Sequence, residues 1–338
     1  MVKTSFYLLW GVLSAVLALS ACACSAEAAV QELLGTSAAA PVFLDCRSVS
    51  STELEFRFSC PVRVVSFQMT PRVGAESIEE GDLVRVGFSE ALGEGERYTA
   101  EMLVEDEKRN TLTVLAPFRA RNSRLPPLLI TELRTEYGKS TTKAGTKIRT
   151  EFVELFAQGD GNLGALRLYI ASHSASQPVL EFPPIEVKAG EYMVIHLRTM
   201  EEEWADETGG NLSLSGGTDA LESARDLWVP GAKKILHKND LVYLLDQDDR
   251  IIDGVVITEN PERSDWASED LKKAAALFAA QGAWLPQPAP AAALDCASIK
   301  TATTKSVSRY QDREKTASAA DWYLTGSGNA SPGEPNKP

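Results

Sequence analysis

Three runs between residues 54 and 118 alternate apolar and polar positions with a period of two, the pattern of strands that bury one face. In "STELEFRFSCPV" the apolar side carries Leu54, Phe56, Phe58, Cys60 and Val62. In "RYTAEMLV" it carries Tyr98, Ala100, Met102 and Val104, and in "TLTVLAPF" Leu112, Val114, Ala116 and Phe118. The turn-rich "GEGE" and "DEKRN" lie between runs, so residues 41–122 are expected to form an antiparallel β-sandwich. After "RNSRLPP" the pattern restarts with "LLITELRTEY" and "TEFVELFAQGDGNLGALRLYIA", then "YMVIHL", "LVYLLD" and "RIIDGVVI". Residues 127–338 are therefore expected to form a second β-domain. The predicted fold class is all-β: two tandem β-domains, the second with helical insertions.

Two stretches exceed what a bare sandwich needs. Residues 200–236 combine glycine-rich turns with a helical piece expected around 219–228. Residues 260–304 place Ala267, Leu271, Ala274, Ala275 and Phe278 on one helical face, with Gly282 as a stop and "LPQPAPAA" running extended after it. Trp204 and Trp228 lie in the first insertion, and Trp266 and Trp284 bracket the helix of the second. Two readings fit this concentration. The tryptophans pack the insertions onto the sandwich, or they form an aromatic binding surface for a protein or glycan.

The amino-terminal pattern is of another kind. Lys3 precedes an apolar run from Phe6 to Leu19, shorter than the about 20 residues of a spanning helix, and small residues follow. Residues 1–21 thus read as a secretory signal. Leu19-Ser20-Ala21-Cys22 resembles a bacterial lipobox, which implies acylation of Cys22 and attachment to a membrane through acyl chains worth about 0.8 kcal/mol per buried methylene. The Ala- and Ser-rich residues 22–40 read as a tether. Export permits disulfides, and Cys46 with Cys60 is the obvious pair. If residues 48–52 form a hairpin, Cys46 faces residue 54 or 55, which leaves Cys60 about 17 Å away. A disulfide needs Cα atoms within about 7 Å, so a buried thiol is the preferred reading of Cys60 and the pair stays open.

Composition narrows the partners. The 338 residues carry a formal charge of -13, and removing residues 1–21 takes away one charge, that of Lys3. An acidic surface disfavours nucleic acid, whose binding depends on Lys and Arg neutralising phosphates.

Further motifs carry resemblances. Leu92, Gly95, Tyr98, Thr99, Asp106 and Asn110 follow the pattern "L-x-x-G-x-x-Y-T … D-x-x-x-N", which is similar to the Ig-like domain of S-layer and other bacterial surface proteins. The resemblance implies a spacer or binding module. Glu132, Glu151 to Leu155, Gly190, Asp240 to Asp246, Ser306, Arg309, Trp322 and Ser331 to Asn336 resemble the lamin-tail domain, an Ig-type sandwich. The closing "SPGEPN", with Pro332, Gly333 and Asn336, is the most specific part. The insertion with its helix and "G-A-W" resembles those of spirochaete lamin-tail lipoproteins. Under this resemblance Glu132, Glu151, Glu154, Arg309 and Trp322 are fold-signature residues. Arg309 is expected to meet the three glutamates, because an unpaired buried charge costs several kcal/mol.

Catalytic constellations are scarce. His173, His196 and His237 lack metal-ligand spacing, and neither G-x-S-x-G nor a glycine-rich phosphate loop is present. No cofactor is expected. "DQDDRIIDG" lacks the spacing of an EF-hand loop. It reads as a charged hairpin turn, with Asp248 and Asp249 as weak calcium candidates. The expected protein is a non-enzymatic envelope lipoprotein that binds a protein or glycan partner through the loops of its second domain, adhesin-like or structural. The alternatives are a periplasmic scaffold and an accessory subunit of an envelope hydrolase.

Overall fold

A computed structural model describes residues 40–143, 145–200 and 204–337. The expected signal segment, Cys22 and the tether as far as residue 39 lie outside the described residues. Among those described, no helix is long and apolar enough to cross a membrane. The chain is mostly β and divides into two compact units, one ending at Phe118 and the other made of Ala91–Arg97 with Arg119–Pro338.

The first unit contains β1 (Phe43–Ser50), β2 (Glu53–Thr70), β3 (Ser77–Glu79), β4 (Gly81–Gly87), β5 (Arg97–Asp106) and β6 (Thr111–Arg119). The first half of β2 pairs with β1 and β4, and its second half pairs with β5. The alternation decides what goes inside: Leu54, Phe56, Phe58, Val62, Ala100 and Met102 are all buried. Glu55 breaks the alternation. The register sets Arg47 and Arg85 on either side of it, and both guanidiniums reach its carboxylate, at 2.7 and 3.2 Å. Cys46 stands opposite Phe56, four residues short of Cys60, and both thiols are free. The "D-x-x-x-N" element closes a tight turn. Asp106 Oδ1 accepts from the backbone N–H groups of Lys108 and Asn110, while Asn110 Nδ2 donates to Asp106 Oδ2.

The second unit is a sandwich of two sheets. Its strands are β7 (Leu128–Arg134), β8 (Gly138–Thr142), β9 (Gly145–Arg149), β10 (Phe152–Ala157), β11 (Gly161–Asn162), β12 (Arg167–Ile170), β13 (Leu180–Glu181), β14 (Glu186–Val187), β15 (Tyr192–His196), β16 (Arg225–Trp228), β17 (Asp240–Leu245), β18 (Ile251–Thr258), β19 (Leu294–Asp295), β20 (Val307–Arg309) and β21 (Trp322–Leu324). One sheet runs β16-β15-β10-β7-β20-β21 and the other β13-β12-β17-β18-β19. Ile130, Leu155 and Met193 from the first sheet share one apolar core with Leu168, Val242 and Val255 from the second. The opposite face of the first sheet carries Leu129, Phe156 and Tyr192 in one cross-strand row, with Glu132 and Glu154 in another.

The insertions differ from expectation in one place. Residues 225–228 form β16, a strand parallel to β15, and not part of a helix over 219–228. Helix propensity is a weak preference. Here it yields to the unpaired edge of β15 and to burial of Arg225 and Asp226, which meet Glu191 and His196. The second insertion does form a helix, α1 (Glu269–Gln281), with Ser268 capping Leu271 N–H at 3.3 Å and Gly282 in the left-handed conformation at φ 63°. Leu271, Ala274 and Phe278 face inward, whereas Ala267 is exposed. Phe278 packs edge-on against Tyr243 at 5.4 Å. It also fills the space beside Gly254, where a Cβ would approach its ring to 2.6 Å. Beyond Gly282 the proline-rich stretch ends in a 3-10 turn at Pro290–Ala292 and does not stay extended throughout.

Candidate functional site

The four tryptophans do not form a surface. Trp204, Trp228, Trp266 and Trp284 are each 6% exposed or less. Trp266 Nε1 donates to Pro288 O at 2.7 Å and Trp284 Nε1 to Ala292 O at 3.0 Å, so these two pin the second insertion to itself and to the core. In the first insertion Trp204 stacks on Trp228 at 4.5 Å, and Trp228 stacks on the His196 ring at 3.8 Å. Burying these large rings removes more apolar area from water than any exposed arrangement would. That gain overturns the aromatic binding surface.

His196 Nε2 lies 2.6 Å from Asp226 Oδ1, with both side chains 1% exposed. Burial penalises either charge. It lowers His196 to about 3 and raises Asp226 to about 8, with Glu207 adding to the latter shift. Burial thus favours the uncharged form of both groups. The pair ties β15 to β16.

The signature residues are brought together in a different pairing from the one expected. Arg309 meets none of Glu132, Glu151 and Glu154. Its Nη2 reaches Asp253 Oδ2 at 2.8 Å, its Nε donates to Ile130 O at 2.7 Å, and its guanidinium lies over the Trp322 ring at 4.3 Å. Glu151 is clasped by Arg198 at 2.5 and 2.6 Å. Glu132 and Glu154 are cross-strand neighbours, and no arginine forms an ion pair with either among the described residues. They are capped by the carboxy-terminal turn, with Ser331 N–H donating to Glu132 and Gly333 N–H to Glu154 Oε2 at 2.7 Å. Pro332 lies between these two donors, and Asn336 Nδ2 bridges the carbonyls of Thr131 and Arg309 at 2.9 Å each. Burial holds the Glu154 carboxyl well above its ordinary range, and the neighbouring Glu132 adds to the shift. Residue type shows that a buried carboxylate needs donors, but the backbone N–H groups that serve here are common to every residue and leave no mark in the sequence.

Asp248 and Asp249 are ion-paired side chains of a turn. Arg121 holds Asp248 through two 2.6 Å contacts, and Arg167 reaches Asp249 at 2.8 Å. Asp246 Oδ1 accepts from the backbone of Asp248 and Arg250. Among the described residues no cluster of His, Cys, Asp and Glu could hold a metal.

A cavity of about 460 Å³ opens on the outer face of the β7–β10–β15–β20 sheet, under the loop that follows β20. Leu129, Phe156 and Tyr192 form its sheet side, and Tyr310, Arg313 and Lys315 belong to the loop. Phe156 and Tyr192 contact each other at 4.8 Å. Gln311 Nε2 donates to Tyr192 Oη at 2.9 Å and joins the loop to the sheet. The Arg313 guanidinium carbon lies over the Tyr310 ring, 3.7 Å from its centroid. Arg309 forms part of the wall. Its Nη1 is enclosed, makes no hydrogen bond among the described residues and lies 3.8 Å from Asp321 Oδ2. Aromatic walls with a few converging polar groups are the usual make-up of a small-molecule site. Sequence reasoning passed over "RYQDREK", since its aromatic and basic residues acquire a shared cavity only when β20 is laid beside β7.

Residues 126–324 match a family model described as a protein second domain, TP_1001_2nd. This chain belongs to that family. The TP_1001_2nd region holds every strand of the two large sheets, both insertions and the cavity-lining loop, while the Ser331–Gly333 turn lies past its end. An uncharacterized protein of Treponema pallidum (strain Nichols) is 28% identical over 180 residues, covering 50% of this chain and 42% of that protein. The chain thus spans less than half the length of that relative. Among solved structures, the chain is similar to the N-terminal part of the bacterial S-layer protein SbsC, with 16% identity and a TM-score of 0.25 over 42% of this chain and 45% of that one. It is also similar to a DUF4876 family protein from Bacteroides thetaiotaomicron VPI-5482, with 9% identity and a TM-score of 0.25 over 86% and 93%.

Proposed function

We propose that this protein is a non-enzymatic lipoprotein of the bacterial cell envelope, anchored through an acylated Cys22, whose second unit is a lamin-tail-type sandwich that binds a protein or glycan partner. The observation that carries the binding reading is the aromatic-walled cavity of about 460 Å³ beneath the Tyr310–Asp321 loop. Because the tryptophans of the two insertions are buried, this reading sets the binding role on the outer face of the first sheet. The anchoring reading is supported by the short apolar run and the Leu19-Ser20-Ala21-Cys22 ending.

Protease shaving of intact cells, with a lysed control, tests the location. Loss from intact cells supports an outward-facing adhesin-like role. Loss only after lysis points to a periplasmic scaffold, or to an accessory subunit that should then co-purify with a hydrolase. Labelling with radioactive palmitate tests the anchor: wild type should incorporate label and Cys22→Ser should not. An unlabelled wild type would overturn the lipid assignment.

A further inference from the structure

We infer that the cavity under the Tyr310–Asp321 loop is a binding site for a small organic carboxylate whose body is apolar or a single ring. The inference rests on the binding role proposed above and specifies its chemistry. Three cationic side chains, Arg309, Arg313 and Lys315, line the cavity. Their surroundings are unequal. Lys315 Nζ sits 2.8 Å from Asp253 Oδ1, and Arg309 shares the same carboxylate. Asp321 is already occupied by its own loop, accepting from Thr316 N–H at 2.8 Å and Thr316 Oγ1 at 2.5 Å. Arg309 Nη1 is left without a hydrogen-bond acceptor in a side chain only 4% exposed. Arg313 forms no ion pair among the described residues, and stacking on Tyr310 presents the edge of its guanidinium, where the N–H groups are.

The gap in this arrangement is therefore an acceptor. A carboxylate fits it best, because a planar guanidinium edge takes both carboxylate oxygens and the resulting bonds are charge-assisted. Glu314 is the opposing charge at the rim and limits the site to a single anionic group. Leu129, Phe156, Tyr192 and the Tyr310 ring supply the apolar contact for the ligand body. The cavity volume is at the small end of the range for ligand pockets.

The test is a panel of matched pairs titrated into the purified protein by ligand-observed NMR and calorimetry: glucuronate with glucose, N-acetylglycine with N-acetylglycinamide, and benzoate with benzamide. The first two arms distinguish a sugar acid from a peptide carboxyl terminus. At least one carboxylate should bind while its neutral twin does not. Arg313→Ala should weaken that binding about tenfold, the scale of one charge-assisted bond, and Glu314→Gln should not weaken it. Arg313 is exposed, so an unchanged melting curve should accompany the loss. Equal binding of twins, or binding by neutral members alone, would overturn the carboxylate assignment and leave the cavity a binding site. If no member binds, both readings fail.

Discussion

The two units solve the same problem, covering a β-sandwich core, with opposite use of charge. In the first, the most buried charge is Glu55, 8% exposed, and the Arg47 side chain that pairs with it is 62% exposed. In the second, Glu132, Glu151, Glu154, Asp240 and Asp253 are essentially inaccessible, as are Arg134 and Arg309. The inward faces of the first unit's β5, β6 and the first half of β2 could be drawn from alternation. The second unit cannot, because its order depends on which donor each buried acid finds. A buried charge is tolerated only when its partners are in place, so these contacts specify strand neighbours as well as stability.

That contrast is open to direct measurement. Arg309→Ala should cost about 3–5 kcal/mol, since Asp253 loses its buried cation, and chemical denaturation should register it as a lowered midpoint for the second unit. A change under about 1 kcal/mol would mean that Lys315 and the Ile130 N–H suffice to compensate Asp253. Trp284→Ala should cost about 3 kcal/mol, because the ring is 1% exposed and its loss leaves a cavity. A near-neutral result would detach the second insertion from the core.

Protonation offers a third lever. Asp226, raised to about 8 in the folded state, contributes stability below its ordinary pKa that is lost as pH rises through 8. His196, lowered to about 3, acts oppositely between 3 and its ordinary 6.5. Above pH 6.5 only the acid is left of this pair, so stability should fall towards pH 8, with a slope of at most about 1.4 kcal/mol per pH unit for one proton. Asp226→Asn should flatten the melting temperature against pH over that window; an unchanged slope would place the proton elsewhere. Ser268→Ala, which removes the α1 cap, should cost about 1 kcal/mol. Arg47→Ala in the first unit should cost only about 0.2–1 kcal/mol. Were it to equal Arg309→Ala in a parallel denaturation, the contrast between the units would not hold.

Residue order by itself was enough for whatever depends on neighbours along the chain. Period-two alternation placed Leu54, Phe56 and Phe58 inside, and 3.6-residue spacing placed Leu271, Ala274 and Phe278 on the inner face of α1. The "D-x-x-x-N" turn and the Gly282 stop are equally local. Tertiary structure decided everything that needs two distant segments. It put Arg225–Trp228 in a strand because β15 offered an edge, and gave Arg309 to Asp253 while assigning Ser331 and Gly333 backbone N–H groups to Glu132 and Glu154. It buried the four tryptophans and left Arg313 stacked on Tyr310 at an open cavity. Side-chain periodicity reports which face is wet, but the choice of hydrogen-bond partner is made across space. Its energy depends on distance and burial, neither of which is written in residue order.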